Sequence, residues 1–510
     1  MPSLLRNASA ALACAALSSV LNATWSVVVV DLATGEVCIA SATCIESFNL
    51  KSKLPALVPA HGAGAAQSLI DLTGQNRLKI WKNLQLGKSP QQILDLLAAA
   101  DGSHQARQYG IVDFDHDPVT FTGNNAGEAK EGVAGSVGTL KYAIQGNVLT
   151  GDPVVYAAET ALLATNGSLA ERVLAAMEAA RSLGGDGRCS CSPSAPTSCG
   201  VPPPSFTKTA HCGFMLLARH GDTLGLCTNN GCATGSYYLD FNVAGLDAQA
   251  ADPDPVFQLA AKYAAFHAAH VGHPDHLTSS AVKSAQSLVA DDKSALVVTV
   301  ELRDLEGTPI GHGGAALSIA AQSGPSGLAT VGTVADLGDG RYQFELVAGA
   351  SAGEGTYAIR VDDGTFTAQL YPALALRVDA LAPLHCGFDG VSAAAGAVVP
   401  LQLNAGASLA GQTYLVLASA SGTVPGLTLQ GGVHLPLNAD ALLDFTVHAG
   451  PLPFFPGGIG TLDADGRASA ALALGPGALA PLAGARIDFA ALVRTSPLVA
   501  TNAAGFEVLP

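Results

Sequence analysis

Charge is scarce in this chain. Asp, Glu, Lys and Arg make up 13% of its 510 residues, and the cations are the rarer sign, 25 against 41, for a formal net charge of −16. Phosphate recognition needs clustered Lys and Arg, so the balance argues against a nucleic-acid partner and fits a protein kept soluble by its acidity. Aromatic residues are few as well, at 5%, which speaks against a carbohydrate cleft of stacked rings. Beyond residue 23 no uninterrupted apolar run reaches the ~18 to 20 residues that a membrane-spanning helix requires. Familiar catalytic signatures are also missing. No G-x-S-x-G elbow carries a strand into a helix, and there is no H-E-x-x-H, no Walker loop and no dinucleotide-binding glycine triplet after a strand. Nothing in these patterns calls for a cofactor or a metal.

What is abundant is small and apolar. Hydrophobic residues account for 49%, with 57 Gly and 28 Pro, a mix that suits compact, strand-rich domains and not disorder. The length is enough for about two to four domains.

The first 23 residues read as a secretory leader: Arg6 for the positive end, "ASAALACAALSSVL" for the apolar stretch, and Ala23 as the small residue at the cut. Lipidation at Cys14 is the alternative. Either way the chain is expected to be secreted, periplasmic or at the cell surface. Removing Cys14 leaves nine cysteines, of which Cys38, Cys44, Cys189, Cys191, Cys199, Cys212, Cys227 and Cys232 crowd the first half and Cys386 stands alone. In an oxidising compartment the eight imply up to four disulfides among about a hundred possible pairings. Cys227 and Cys232 flank the turn signal "TNNG", and Cys38 and Cys44 bracket one strand-like run, so both are candidate short links. A zinc site from Cys189, Cys191, Cys199, His211 and Cys212 is conceivable, but Cys-x-Cys lacks the usual spacing and export favours disulfides. His267 and His270, at i, i+3 on a helix, fit a surface role better than a metal pair.

Residues 24–272 mix strands and well-signalled helices. "TWSVVVVD" and "GEVCIASATC" form a hairpin through "LATG". Ser89-Pro90-Gln91-Gln92 and Ser168-Leu169-Ala170-Glu171 open helices with capping boxes, and Asp152-Pro153 and Asp254-Pro255 open two more. Strand candidates "QYGIVDF", "LKYAIQG", "CGFMLLARH" and "YYLDFNV" lie between them, so this domain is α+β, with helices covering stacked sheets. From about residue 289 short alternating strands separated by Gly and Asp turns predict a β-sandwich over 289–380 and a second over 384–510. The Pro-rich "CSPSAPTSCGVPPPS" (191–205) reads as a surface loop tied down by cysteines.

Thr24 is the residue with latent chemistry. A hydroxyl is a poor nucleophile near neutrality and needs a base beside it. At a chain terminus a threonine carries one, its own α-amine, with an ordinary pKa of about 7.7–8.0. A cut after Ala23 would create that terminus, though signal peptidase must leave some residue first and Thr is a common one.

"TWSVVVVDLATGEVCIASATC", "RQYGIVD", "FTGNNAGE", "YAIQGNVLTGDPVV", "SLAERVLAAMEAARSLGGDGR" and "DPDPVFQLAAKYAAFH" occur in this order over about 24–272. Together they resemble the bacterial family known as domain of unknown function 1028, linked to the N-terminal-nucleophile (Ntn) hydrolases. The resemblance implies a four-layer αββα fold and a catalytic threonine exposed as the first mature residue, a position that Thr24 matches. It implies Asn147 as the candidate oxyanion donor, with Gln145 nearby and Gln67 in a matching segment. Asp186 and Arg188, in "GGDGR", would hold the amine or a substrate carboxylate. Ser41 and Thr43 could reach Thr24 across the hairpin. A loop-fixing or packing role explains each of these equally well. Two departures stand out: the insertion after "GGDGR" and the cysteine load. The β-rich second half resembles bacterial immunoglobulin-like repeats.

The function expected is therefore a secreted amidohydrolase that cleaves a linear or cyclic amide through Thr24, its C-terminal sandwiches contacting a cell surface or polymer. The rival is a non-catalytic extracellular binding protein that uses the same fold as a scaffold. A self-processing precursor is a weaker third, since no internal Gly-Thr or Gly-Ser junction stands out as a cut site. Substrate identity, disulfide pairing and oligomeric state are not legible.

Overall fold

The computed structural model describes residues 24–510; the expected leader, its cut after Ala23 and Cys14 lie outside the described residues. The chain divides into two units, the first ending at Ala269 and the second beginning at His270. The first is mixed α+β and the second is β-rich.

In the first unit the elements are β1 (Thr24–Asp31), β2 (Glu36–Thr43), β3 (Pro55–Val58), β4 (Gly62–Ser68), α1 (Gln75–Gln85), α2 (Pro90–Ala100), β5 (Arg107–Asp113), β6 (Val119–Thr122), β7 (Glu131–Val137), β8 (Leu140–Asn147), α3 (Pro153–Ala164), α4 (Leu169–Ser182), α5 (Gly187–Ser190), β9 (Cys212–Ala218), β10 (Leu239–Val243) and α6 (Pro255–His270). They build one sheet of order β10-β9-β2-β1-β8-β7 and another of order β3-β4-β5-β6.

Strand β1 explains how the layers are filled. All eight of its residues are buried, so both faces must be covered, and its β-branched run suits a pleated surface packed on each side. Side chains alternate between the faces. Trp25, Val27 and Val29 pack with Val154, Val155, Val173 and Met177 of α3 and α4. Val28 and Val30 face the other way, with Val37 and Ile39 of β2, against Leu57, Ala63, Ala65 and Val112 of the second sheet. That second sheet buries its far face, Ala56, Val58, Tyr109 and Ile111, under Ile80, Leu84, Ile93 and Leu97 of α1 and α2. Each such Val, Leu or Ile contributes about 1.5–3 kcal/mol when fully buried.

The helix signals act locally. Ser89 and Ser168 each accept a bond from the backbone N–H three residues on, while the Gln92 and Glu171 side chains accept from the backbone N–H of the cap residue, an arrangement in which the cap side chain is worth about 1 kcal/mol. Asp152 precedes Pro153 without a side-chain cap. Asp254 opens α6 by accepting from Val256 N (2.9 Å).

The disulfides differ in part from expectation. Bonds join Cys44–Cys189, Cys191–Cys199 and Cys227–Cys232, whereas Cys38, Cys212 and Cys386 are buried free thiols. The Cys38–Cys44 link is not made. Six residues of extended strand span ~20 Å, and a disulfide needs Cα atoms about 4.4–6.8 Å apart. Cys38 instead faces the helix layer. Burial pushes its thiol well up, with Glu36 adding to the effect, and burial pushes Cys212 up to about 12, so neither is a ready nucleophile. Of the five residues weighed as a zinc centre, Cys189, Cys191 and Cys199 are taken up in two different disulfides and Cys212 is a buried free thiol. His267 lies edge-on to Tyr263.

The second unit holds two β-cores. In the first, strands 280–283, 295–301, 341–348 and 329–331 form one sheet and strands 287–289, 374–379, 353–362 and 316–323 the other. Val298, Val300, Phe344, Leu346, Ile359 and Val361 fill the space between. Its first strand starts at Ser280, ahead of the expected boundary. Gly349–Gly353 has G-x-S-x-G spacing, but it is the turn between two strands and not an elbow into a helix. The last core packs Val399, Leu401, Val416, Phe489, Ala491 and Phe506. It carries one helix that the all-β expectation missed, Ala441–His448, capped by Asp440 Oδ1 on Leu443 N (2.7 Å). Among the described residues no helix is long and apolar enough to cross a membrane.

Candidate functional site at the polar end of the sheet interface

The layer between the two sheets is apolar along most of β1 and turns polar at its first residues. Thr24, Ser26, Val28 and Val30 share one face by alternation. Register carries the pattern sideways: Thr24 lies opposite Asn147 and Ser26 opposite Gln145 on β8, and Ser26 lies opposite Ser41 on β2. From the facing sheet come Gln67 and Gln108, paired across β4 and β5. All of these side chains are buried. Removing so many polar groups from water is tolerable only when they bond one another.

They largely do. Gln67 Nε2 donates to the Thr24 carbonyl (3.0 Å) and to Gln108 Oε1 (2.8 Å), and Gln67 Oε1 accepts from Ser26 Oγ. Ser41 Oγ, 3.0 Å from Ser26 Oγ, donates to the Trp25 carbonyl (2.7 Å). Gln108 Nε2 reaches the Gly146 carbonyl at 2.9 Å. Asn147 Nδ2 donates to the Ala126 carbonyl (3.0 Å) and lies 3.3 Å from Ser68 Oγ. Gln145 stands apart, its carboxamide oxygen and nitrogen both buried without a hydrogen-bond partner. It fits only because Gly110 on β5 has no side chain: a Cβ there would lie 2.0 Å from Gln145 Oε1.

Backbone strain flanks this network. Ser68, after Gln67, has φ 70°, and Val148, after Asn147, has φ 52°. Non-glycine residues in that region cost about 1–3 kcal/mol each and persist where surrounding contacts impose them. Val148 is so held, its N–H donating to Glu128 O (2.9 Å) and its carbonyl accepting from Gly187 N (3.1 Å).

Asp186 and Arg188 stand at the neighbouring strand end. Asp186, fully buried, accepts from Cys44 N (2.7 Å), Arg188 N (3.0 Å) and the Arg188 guanidinium at 3.1 and 2.8 Å. Arg188 Nη2 also lies 3.3 Å from Thr43 Oγ1. The Cys44–Cys189 bond ties the same two segments covalently. With its carboxylate committed to four donors, Asp186 anchors this loop to the end of β2. The 191–205 segment packs directly on it, Pro196 against Gly187 and Pro203 against Gly184.

Thr24, Asn147, Gln67, Gln145 and Ser41 thus come together in one layer, with Asp186 and Arg188 bracing its edge. Ser26, Gln108 and Ser68 belong to the same network and were not singled out from sequence. The signal was present: Ser26 interrupts a valine run on the face of Thr24, and Gln108 is polar in a strand otherwise written for burial. Among the described residues one group could hold a metal ion, Cys44, Cys189 and His211.

No curated protein matches the chain. A crystal structure of a Silicibacter pomeroyi protein of the DUF1028 family is 18% identical, covering 48% of this chain and 88% of that one, with a TM-score of 0.35. The Yersinia pseudotuberculosis adhesin InvE is 17% identical over 45% of this chain and 59% of its own, TM-score 0.16. The Escherichia coli adhesin FdeC is 11% identical over 94% and 96%, TM-score 0.17. Residues 24–196 match the model of the family of unknown function DUF1028, and residues 275–371 match domain 3 of invasin.

Proposed function

We propose that the first unit is an Ntn-type hydrolase with the four-layer αββα arrangement, and that Thr24, freed by cleavage after Ala23, attacks an amide carbonyl. The observation that carries this reading is the placement of Thr24 on a buried strand, opposite Asn147, at the polar end of the sheet interface. The amine of a free Thr24 takes the hydroxyl proton, directly or through one water. The tetrahedral adduct then collapses: the C–N bond breaks, the leaving amine takes the proton held on the Thr24 α-amine, and the acyl group stays as an ester on Thr24 Oγ1. Water, deprotonated by the same amine, hydrolyses that ester to the acid and returns the proton to the threonine hydroxyl. Asn147 can serve the tetrahedral oxyanion by giving up its longer contact, the 3.3 Å approach to Ser68; losing one such donor commonly costs about 10²–10³ in rate. Gln67 fixes the Thr24 carbonyl, and the Asp186–Arg188 pair fixes the adjoining end of β2.

The match of residues 275–371 to an invasin domain supports a second role for the second unit, contact with a surface or polymer outside the cell. If Thr24 stays internal to the chain, that role is the whole function.

Intact mass and N-terminal peptide mapping of the exported protein test the reading first, followed by an amide-substrate screen. The expected result is a chain that starts at Thr24, is inactivated by Thr24→Ala and keeps part of its rate as Thr24→Ser. A mature chain starting elsewhere, or an active Thr24→Ala variant, overturns it.

A further inference from the structure

The corner formed by Cys44, Cys189 and His211 carries chemistry that the Thr24 reading does not use. Their potential ligand atoms all lie within 4.8 Å of one another. Each is placed by contacts other than the sulfur–sulfur bond: Cys44 by its N–H on Asp186 Oδ2 (2.7 Å), Cys189 by its N–H on the Asp186 carbonyl (3.1 Å) and His211 by its N–H on the Thr43 carbonyl (2.9 Å). His211 Nδ1 is buried with no hydrogen-bond partner, while Nε2 faces Glu46 at 3.6 Å. A carboxylate behind one ring nitrogen is the arrangement that sets a ligating histidine's tautomer and leaves the other nitrogen for a metal.

We propose that this corner has two closures: the Cys44–Cys189 disulfide under oxidising conditions, and a thiolate–imidazole site for a Zn2+-type cation once that bond is reduced. A two-electron reductant yields two thiols: a dithiol gives up two electrons and two protons and becomes a disulfide, whereas a phosphine gives up two electrons and becomes its oxide, with water supplying the oxygen and both protons. The cation then displaces those two protons and bonds both sulfurs and His211. A tetrahedral ion with bonds of about 2.3 Å to sulfur and 2.0–2.1 Å to nitrogen sets its ligand atoms roughly 3.5–3.8 Å apart, so the two sulfurs must separate from bonding distance on reduction, while the imidazole already lies within 4.8 Å of both. Neither other disulfide belongs to a comparable group among the described residues. The proposal does not depend on catalysis at Thr24.

The test uses the full exported chain, reduced with a phosphine and titrated with Co2+, whose thiolate charge-transfer bands report sulfur ligation. Alkylation followed by peptide mapping then shows which cysteines Zn2+ protects. The expected result is one equivalent bound, Cys44 and Cys189 protected, at least a tenfold weaker binding in His211→Ala or His211→Gln, and no change in Cys191→Ser/Cys199→Ser. Formation of the Cys44–Cys189 bond in the oxidised His211 variants certifies their fold. Absence of the bands, protection at other cysteines, or His211 variants that bind as tightly as the parent overturns the proposal.

Discussion

Replacing Arg188 by Ala strands a carboxylate that has no exposure to solvent. In the intact pair Asp186 is 0% exposed and Arg188 13%, with guanidinium contacts at 3.1 and 2.8 Å. Removing one partner of a buried ion pair costs about 3–5 kcal/mol. Two backbone donors, Cys44 N and Arg188 N, still serve the stranded carboxylate, so the lower end, about 3 kcal/mol, is expected. For a unit of roughly 250 residues each kcal/mol lowers Tm by about 2–4 °C, so the loss is ~6–12 °C. The assay is built in. Both tryptophans of the chain, Trp25 and Trp81, lie in the first unit, and the Trp25 ring lies 2.8 Å from where a Gly185 Cβ would be. Thermal or urea unfolding followed by tryptophan fluorescence therefore reads this unit without the second. Asp186→Asn/Arg188→Ala leaves no charge buried and should recover much of the loss. A single variant that costs under about 1 kcal/mol, or a double variant no better than the single, refutes the anchoring argument.

Three further outcomes follow from the same geometry. Gly110→Ala drives a Cβ into the Gln145 carboxamide and is expected to cost about 1–3 kcal/mol; Gln145→Ala in the same chain should return most of it, read as a coupling in a double-mutant cycle. Burial pushes the Asp101 carboxyl up, but bonds from Arg107 and Asn76 outweigh this and hold it down at about 2. A depressed folded pKa stabilises above the unfolded value, so this contribution is complete above about pH 5 and is lost as pH falls through 4 toward 2; Asp101→Asn should flatten that part of the acid-unfolding curve. Ser168→Ala removes a capping box and should lower the urea midpoint of the first unit by an amount equivalent to about 1 kcal/mol, without altering the disulfide map.

Local signals were legible because they act over a few residues. Ser89 and Ser168 cap where the S-x-x-Q and S-x-x-E patterns place them, "LATG" turns the first hairpin, and the short alternating runs of the second half become strands. The helix at Ala441–His448 escaped notice because its only local sign is Asp440 at the cap. Of the candidate site, the alternation of Thr24, Ser26 and the valines is written in the chain, and so is the improbability of burying Ser41, Gln67 and Asn147 singly.

Which distant residues meet is another matter. Cys38 and Cys44 are neighbours in sequence yet ~20 Å apart on an extended strand, and Cys44 finds Cys189 across 145 positions. Gln67 reaches Thr24 and Gln108 reaches Gly146 only because β4 and β5 face β1 and β8 across the sheet interface, and the unbonded Gln145 shows itself only once Gly110 is seen beneath it. The period of a strand tells which side chains share a face, since that depends on bonds between successive residues. It cannot tell what covers that face, since that depends on which sheets stack and in what register, and only the folded chain decides it.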